Sequence, residues 1–237
     1  MYITNRDIRA RARYLLDDNI FGKDWIKSVV LTILASAIVG TAGSIVISFV
    51  NTLFLPIILM WFDQGSIVSI IIPILLTIVE LLSLNILIGP LYMGLSTVHL
   101  DLVRGEGKIK IGHFFRGFKN FGANVQLGLM YMLHIFLWSL LFIIPGIYVS
   151  YSYALVFYVK HDNPEFTWKE CFDESERLMD GNKWRLFKLQ FSFIGWAFLG
   201  AIAFFGIGSY WVMPYEQVSL AVFYDVLLAE KDEDEED

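Results

Sequence analysis

Long apolar stretches alternate with short basic segments along this chain. No Asp, Glu, Lys or Arg occurs in residues 29–62, 120–159 or 189–215, and Glu80 is the only one in residues 64–100. A helix that crosses a bilayer needs about 20 mostly apolar residues. Helices of soluble proteins carry a polar face that most of these stretches lack. The pattern therefore predicts membrane-spanning helices.

Proline and glycine breaks divide these stretches into six predicted spans. The spans cover residues 28–49, 67–88, 124–144, 147–159, 189–205 and 211–228. The second span is predicted to end at Gly89-Pro90, and Pro145-Gly146 is predicted to form a tight turn between spans three and four. The predicted fold is all-α, a polytopic transmembrane helix bundle of about six spans arranged as three helical hairpins with amphipathic cytoplasmic helices.

The basic residues all lie on one side of this predicted topology. The 18 Lys and Arg residues precede span one, separate spans two and three, separate spans four and five, or follow span six. Cytoplasmic loops accumulate Lys and Arg because carrying these residues across the membrane is unfavourable. Both termini are therefore predicted to be cytoplasmic, and the predicted location is the cell membrane.

Composition shifts give the predicted domain organisation. Residues 1–27 form a basic amphipathic N-terminal segment, and residues 28–230 form the membrane domain, which includes cytoplasmic loops 101–123 and 160–188. Residues 231–237 form an acidic tail. A terminal run of like charges is usually solvated, so this tail is predicted to be disordered.

The cytoplasmic segments contain amphipathic patterns. Thr167 and Glu170 form a predicted capping box, and Gly181 is the predicted C-terminal cap of the same helix. The residues predicted to form the cytoplasmic interfacial helix are Trp168, Phe172, Arg177, Trp184 and Arg185. Similar patterns surround Ile8 and Ala12, and Phe115, Phe118 and Phe121. The sequence leaves two alternatives for these apolar faces. They pack either against lipid at the membrane surface or against the ends of the spans.

Three ionisable residues inside the predicted spans are functional candidates, because such groups are costly at membrane depth. Glu80 lies near the middle of span two, His134 is central in span three, and Glu216 lies one-third of the way into span six. In antiparallel spans, Glu80 and His134 would share a depth at which they could exchange a proton in a transporter. The alternative is a structural role as hydrogen-bonding groups between helices. Glu216 is expected to reach the outer interface.

Signatures of catalysis and of cofactor binding are sparse. The four histidines are scattered, no His-Glu-x-x-His motif or Walker loop occurs, and Cys171 is the only cysteine. No metal site and no cofactor are therefore predicted. Gly94-Leu-Ser96 matches the Gly-x-Ser of rhomboid-like hydrolases, with His134 as a conceivable base, but close helix packing explains these small residues more simply. No nucleic-acid partner is predicted, because the membrane topology accounts for the basic residues.

Several segments of the chain resemble a known family. They are residues 89–96, 101–106, 115–122, 137–146, 162–164, 174–187, 193–196 and 214–224. Together they resemble domain-of-unknown-function family 975, a family of bacterial multi-pass membrane proteins, over nearly the whole chain. The resemblance implies a bacterial membrane protein. It implies no catalytic residues, because none are established for that family.

These observations predict a bacterial integral membrane protein without enzymatic activity, acting as an accessory, scaffold or lipid-associated module. One alternative is a small transporter or export component that uses Glu80 and His134, and a further alternative is an intramembrane hydrolase. The expected partners are membrane lipids, anionic at the cytoplasmic face. Membrane-protein partners and self-association stay open.

Overall fold

The computed structural model describes residues 3–17, 19, 21–61, 67–106, 109–203 and 208–236, and in these ranges it contains helices and no strands. The helices are α1 (Asn5–Leu15), α2 (Lys23–Trp61), α3 (Ile67–Val103), α4 (Ile111–Phe114), a 3-10 helix (Phe115–Phe118), α5 (Phe121–Leu141), α6 (Ile143–Ser152), α7 (Val156–Asp162), α8 (Trp168–Met179), α9 (Lys183–Ala203) and α10 (Ser209–Glu236). The predicted all-α class is confirmed.

Four helical segments within the described ranges are long and apolar enough to cross a bilayer. They are Lys23–Leu53, Ile86–Val103, Phe121–Leu141 and Ile143–Asp162. In the first and third, only 22% and 17% of the apolar window is buried inside the protein. Contiguous exposed apolar surface on this scale is typical of a membrane-facing surface. The helices are therefore compatible with a membrane protein.

The buried core occupies one part of the molecule. It contains the first part of α2, the second half of α3, α7 and most of α10, with Leu31, Leu100, Val156 and Val222 among its buried side chains. α1 and α8 pack onto this core. The remaining halves of α2, α3, α5 and α9 instead expose apolar side chains such as Ile57, Ile71, Leu140 and Ile202. We call the part of the molecule that contains the buried core the packed end.

Gly89-Pro90 does not end a helix, contrary to the prediction, because α3 continues through both residues to Val103. A Cβ atom on Gly89 would lie 2.1 Å from the backbone oxygen of Asn124 and 3.3 Å from the Cα atom of Gly128. Gly89 therefore allows the backbones of α3 and α5 to approach closely. Proline inside membrane helices is tolerated because neighbouring groups satisfy the freed backbone carbonyl.

The turn between α5 and α6 lies earlier than predicted. α5 ends at Leu141, Phe142 is extended with φ −157° and ψ 147°, and α6 begins at Ile143. Pro145 thus lies in the first turn of α6, where its missing N–H removes no helical hydrogen bond. Gly146 instead serves packing, because a Cβ atom there would lie 2.1 Å from the Ser139 hydroxyl. The predicted single span 147–159 is divided between α6 and α7.

The predicted capping box at the start of α8 is confirmed, whereas its C-terminal cap is Asp180, and Gly181 lies in the turn in which Asn182 N–H donates to the Met179 carbonyl at 3.1 Å. Glu170 N–H donates to the Thr167 hydroxyl at 3.3 Å, and Thr167 N–H donates to the Glu170 carboxylate at 2.7 Å, which completes the capping box. Gly181 has a φ of +72°, as a glycine that follows a helix end commonly does. α10 continues through residues 231–236 of the acidic segment and ends at Glu236. Continuing an existing helix is easier than nucleating one, and Glu is a good helix former.

Candidate functional site

A network of charged side chains joins several helices at the packed end. Arg104, which follows α3, donates to both carboxylate oxygens of Asp162 at 2.6 and 2.8 Å and to Asp225 of α10 at 3.4 Å. Arg11 of α1 also donates to Asp225, at 3.3 Å, and the Tyr224 hydroxyl donates to Asp162 at 2.8 Å. The hydrogen bonds to Asp162 raise the pKa of the Arg104 guanidinium. These contacts hold α1, α3, α7 and α10 together.

Asp101 extends this ionic network to α4 and the 3-10 helix. Its side chain is buried, and its carboxylate lies 2.9 Å from His113 Nδ1, 3.2 Å from an Arg116 nitrogen and 3.5 Å from His161 Nε2. His161 Nδ1 lies 3.2 Å from Asp162, so the two carboxylates are linked through one imidazole. Within the described part of the chain, no group of three or more His, Cys, Asp or Glu residues is arranged to hold a metal ion. The contacts of Asp101 and Asp162 are ion pairs with arginine and histidine side chains.

Sequence reasoning did not predict this network. Two of the segments that carry the family resemblance, residues 101–106 and 162–164, contain Asp101, Arg104 and Asp162. The charged residues of these segments were the one indication of an ionic network in the sequence. Nothing in the sequence shows that the two segments contact each other. The pairing depends on how α3 and α7 pack.

His134 is enclosed by aromatic rings. Its Nδ1 lies 2.8 Å from the Met130 carbonyl oxygen one turn earlier in α5. Its ring lies 5.1 to 6.0 Å, centroid to centroid, from the rings of Phe172, Trp168 and Tyr153. These neighbours come from α8 and from the segment after α6, and they agree with a structural role for the histidine.

The structure does not describe a contact between Glu80 and His134. Glu80 lies in α3, but its side chain is outside the described ones. His134 comes six residues after Gly128, which faces α3, so it lies about 120° around α5 from that face. Glu216 is half-buried in α10 and interacts electrostatically with Tyr151 and Tyr158.

A cavity of about 500 Å³ lies between α3, α5, α6, α7, α9 and α10. Ser96 and His99 line it, and both are buried. The hydrolase alternative pairs Ser96 with His134. Ser96 lines the cavity and His134 does not, so the two side chains do not both face it. Gly94 serves packing, because a Cβ atom there would lie 2.1 Å from the Phe114 carbonyl oxygen.

His99 was not selected as a candidate from the sequence, because it is one polar residue in a long apolar helix. Its Nε2 lies 2.7 Å from the Ser28 hydroxyl oxygen, and both residues are buried. Ser28 does not line the cavity. A hydrogen bond between polar side chains of α2 and α3 is typical of contacts that hold membrane helices together.

The five residues predicted to form a cytoplasmic interfacial helix do not share one surface. Phe172 is buried and Trp168 half-buried, both against His134. Arg185 is buried and donates to Glu230 at 2.8 Å. Arg177 pairs with Glu174 within α8, and Trp184 is 62% exposed. The apolar face of α8 therefore packs on protein, as does the face of α1 that contains Ile8, Ala12 and Leu16.

Two exposed patches combine aromatic and basic side chains. In patch one, exposed Ile111, Phe115 and Phe121 adjoin three exposed basic residues, which are Lys110, Arg116 and Lys119. In patch two, exposed Tyr148 and Trp184 adjoin Lys183 and Lys188. Lys183 donates to the Tyr148 hydroxyl at 2.8 Å, and the Lys188 ammonium lies 5.7 Å from the centre of the Trp184 ring. Aromatic and basic side chains of this kind are common where membrane proteins meet the lipid head groups.

Comparison with known proteins finds one family model that matches part of the chain. Residues 140–231 match a family model described as "Protein of unknown function (DUF975)". The match extends from the end of α5 into α10 and confirms the resemblance to domain-of-unknown-function family 975 there. The segments at residues 89–96, 101–106 and 115–122 lie outside the matched residues. No curated protein and no solved structure matches the chain.

Proposed function

We propose that this chain is a non-enzymatic, lipid-associated module of the bacterial cell membrane, with six spans and both termini in the cytoplasm. α2 and α3, α5 with α6 and α7, and α9 and α10 form its three helical hairpins. The packed end, with the ionic network and patch one, lies at the cytoplasmic face. The position of the 18 Lys and Arg residues supports this orientation.

The observation that carries the lipid association is the exposure of aromatic and basic side chains together in the two patches. The rings of Phe115, Phe118 and Phe121 form a continuous series, with centroid distances of 6.1 and 6.3 Å. Such a series can lie at the level of the acyl chains while neighbouring ammonium groups reach the phosphates. A basic residue near an anionic membrane surface contributes about 1 kcal/mol of attraction.

The polar groups of the protein interior support a non-enzymatic role. The Ser28 hydroxyl, which lies against His99, is buried and away from the cavity. The Asp101, Asp162 and Asp225 carboxylates are engaged by arginine and histidine side chains. A nucleophile or general base must be within reach of a substrate, and these groups contact each other instead.

The orientation predicts which positions react with a membrane-impermeant maleimide. In intact cells we expect Gln64→Cys, between α2 and α3, to be labelled and Lys119→Cys to be labelled only after permeabilisation. The native Cys171 is a suitable silent background, because it is buried and burial raises the pKa of its thiol to about 11. Labelling of Lys119→Cys in intact cells would show that the orientation is wrong.

Patch one predicts a preference for anionic lipid. The purified protein, equilibrated with equal amounts of dioleoylphosphatidylglycerol and dioleoylphosphatidylcholine, is expected to retain the anionic lipid preferentially in native mass spectrometry. Each lysine removed from patch one should lower that preference by about fivefold, as measured with Lys110→Gln and Lys119→Gln. The matched control is Arg6→Gln with Lys169→Gln, since both residues are exposed and lie outside the patches.

Equal lipid preference in the patch variant and in the control would contradict the proposed lipid association. A proton flux into proteoliposomes that Glu80→Gln abolishes, without a change in unfolding temperature, would support the transport alternative instead.

A further inference from the structure

The cavity changes in character from its floor to its mouth. His99, Ser96 and Tyr158 line it and are buried, so they form its floor. Tyr92 of α3 and Ile147 of α6 also line it but are 54% and 51% exposed, so they mark its mouth. The floor therefore contains hydroxyl and imidazole groups, whereas the mouth is largely apolar. Two of the floor groups already have protein partners, because His99 Nε2 lies 2.7 Å from the Ser28 hydroxyl and the Tyr158 hydroxyl donates to the Gln217 backbone carbonyl at 3.3 Å. This gradient matches a ligand with a polar head and an apolar tail.

One polar group in the cavity wall lacks a protein partner. Gln217 lines the cavity, and its side-chain oxygen is buried without a hydrogen-bond partner among the described residues. A buried acceptor of this kind is unfavourable unless a donor reaches it. This oxygen has almost no accessible surface, so a ligand hydroxyl reaches it only when the Gln217 side chain turns toward the cavity. The hydroxyl and amide groups of the wall are further partners.

The lining also indicates the charge of the ligand. None of the described lining residues is Asp, Glu, Lys or Arg, and burying an unpaired charge there would be costly. Glu216 interacts with Tyr151 and Tyr158 but does not line the cavity.

The aromatic rings of the wall do not form an open cage for a cation, because they pack against other rings. Tyr92 and Tyr131 each pack against Phe157 with centroid distances of 5.7 Å, and Tyr158 packs against Tyr224 at 5.5 Å. The wall therefore favours an uncharged head group over a quaternary ammonium group.

The mouth lies within exposed apolar surface. Ile143 and Ile144 are exposed beside Ile147 on α6, and Phe191 and Ile194 are exposed on α9. An apolar chain that leaves the cavity past Ile147 would therefore enter the hydrocarbon of a surrounding bilayer.

We propose that the cavity binds the head group of an uncharged, hydroxyl-bearing lipid, with the acyl chains of that lipid leaving past Ile147. The proposal rests on the proposed membrane embedding but not on patch one, none of whose residues lines the cavity. The two sites are therefore separable by mutation.

The test uses the full chain and three probes with the same acyl chains: dioleoylglycerol, dioleoylphosphatidylglycerol and dioleoyl trimethylammonium propane. We expect native mass spectrometry to show one retained dioleoylglycerol per chain. Ile147→Trp, which blocks the mouth, should weaken its retention by about tenfold or more. Ile144→Trp is the matched control, because Ile144 lies on the same helix, is exposed and does not line the cavity.

A second variant separates binding from folding. Gln217→Leu removes the unpartnered oxygen, so it should weaken dioleoylglycerol retention while the lipid-free protein unfolds at an unchanged or higher temperature. Three results would overturn the proposal: no retained dioleoylglycerol, equal retention in Ile147→Trp and Ile144→Trp, or preferential cavity binding of either charged probe. A loss of phosphatidylglycerol preference in the Lys110→Gln, Lys119→Gln variant tests the patch alone and leaves this result unaffected.

Discussion

Replacing Arg104 with methionine is expected to destabilise the folded protein by about 3 kcal/mol. The Arg104 side chain is 27% exposed and Asp162 and Asp225 are 20% and 24% exposed, so little water is available to replace the guanidinium. Methionine keeps most of the apolar stem of the side chain but leaves both carboxylates without their shared partner. Removing one partner of a largely buried ion pair is costly because the other charge stays buried. Asp225 then keeps only Arg11 as an arginine partner, and Asp162 keeps the Tyr224 hydroxyl but has no arginine.

This effect is measured as the change in unfolding temperature and in denaturant midpoint in one defined lipid or detergent environment. Arg177→Met is the matched control. Arg177 also makes two hydrogen bonds to a carboxylate, at 2.9 and 2.8 Å, but its side chain is 50% exposed and its partner Glu174 lies within the same helix. Its removal should cost below about 0.5 kcal/mol. Equal losses in the two variants would show that the ionic network does not hold the helices together.

Alanine at Gly94 or Gly89 is expected to destabilise the protein by about 3 kcal/mol. The added Cβ atom would lie 2.1 Å from the Phe114 carbonyl oxygen in the first case and 2.1 Å from that of Asn124 in the second. Both obstacles are backbone atoms, which cannot rotate away as a side chain can. The helices would have to separate, which removes close-packed contacts between α3 and its neighbours.

Gly122→Ala provides the matched control for these variants. Gly122 lies in the first turn of α5, and a Cβ atom there has no heavy atom within 4 Å. Alanine in a helix is favoured over glycine by about 0.5–1 kcal/mol, so this variant should be neutral or more stable. The measurement is the unfolding temperature of all three variants. If Gly94→Ala were as stable as Gly122→Ala, the close approach of α3 to Phe114 would be disproved, and the Gly94-Leu-Ser96 motif would need another explanation.

Properties that depend on a single segment could be predicted from the sequence. Charge-free stretches of membrane length predict apolar helices because every backbone polar group must be paired within the segment when it lies in lipid. The capping box of Thr167 and Glu170 was predictable for the same reason, since it is a contact across one helical turn. The apolar face of α8 also followed from helical periodicity alone.

What these segments contact depends on how the helices pack in three dimensions. Gly89-Pro90 and Pro145-Gly146 are turn signals locally, but packing against α5 keeps the first pair inside α3 and places the second inside α6. Arg104 meets Asp162 and Asp225 across 58 and 121 positions of sequence. A periodic pattern shows which face of a helix is apolar, but it does not show whether protein or lipid covers that face. The ionic network and the cavity depend on several helices at once, so no single segment of the sequence encodes them.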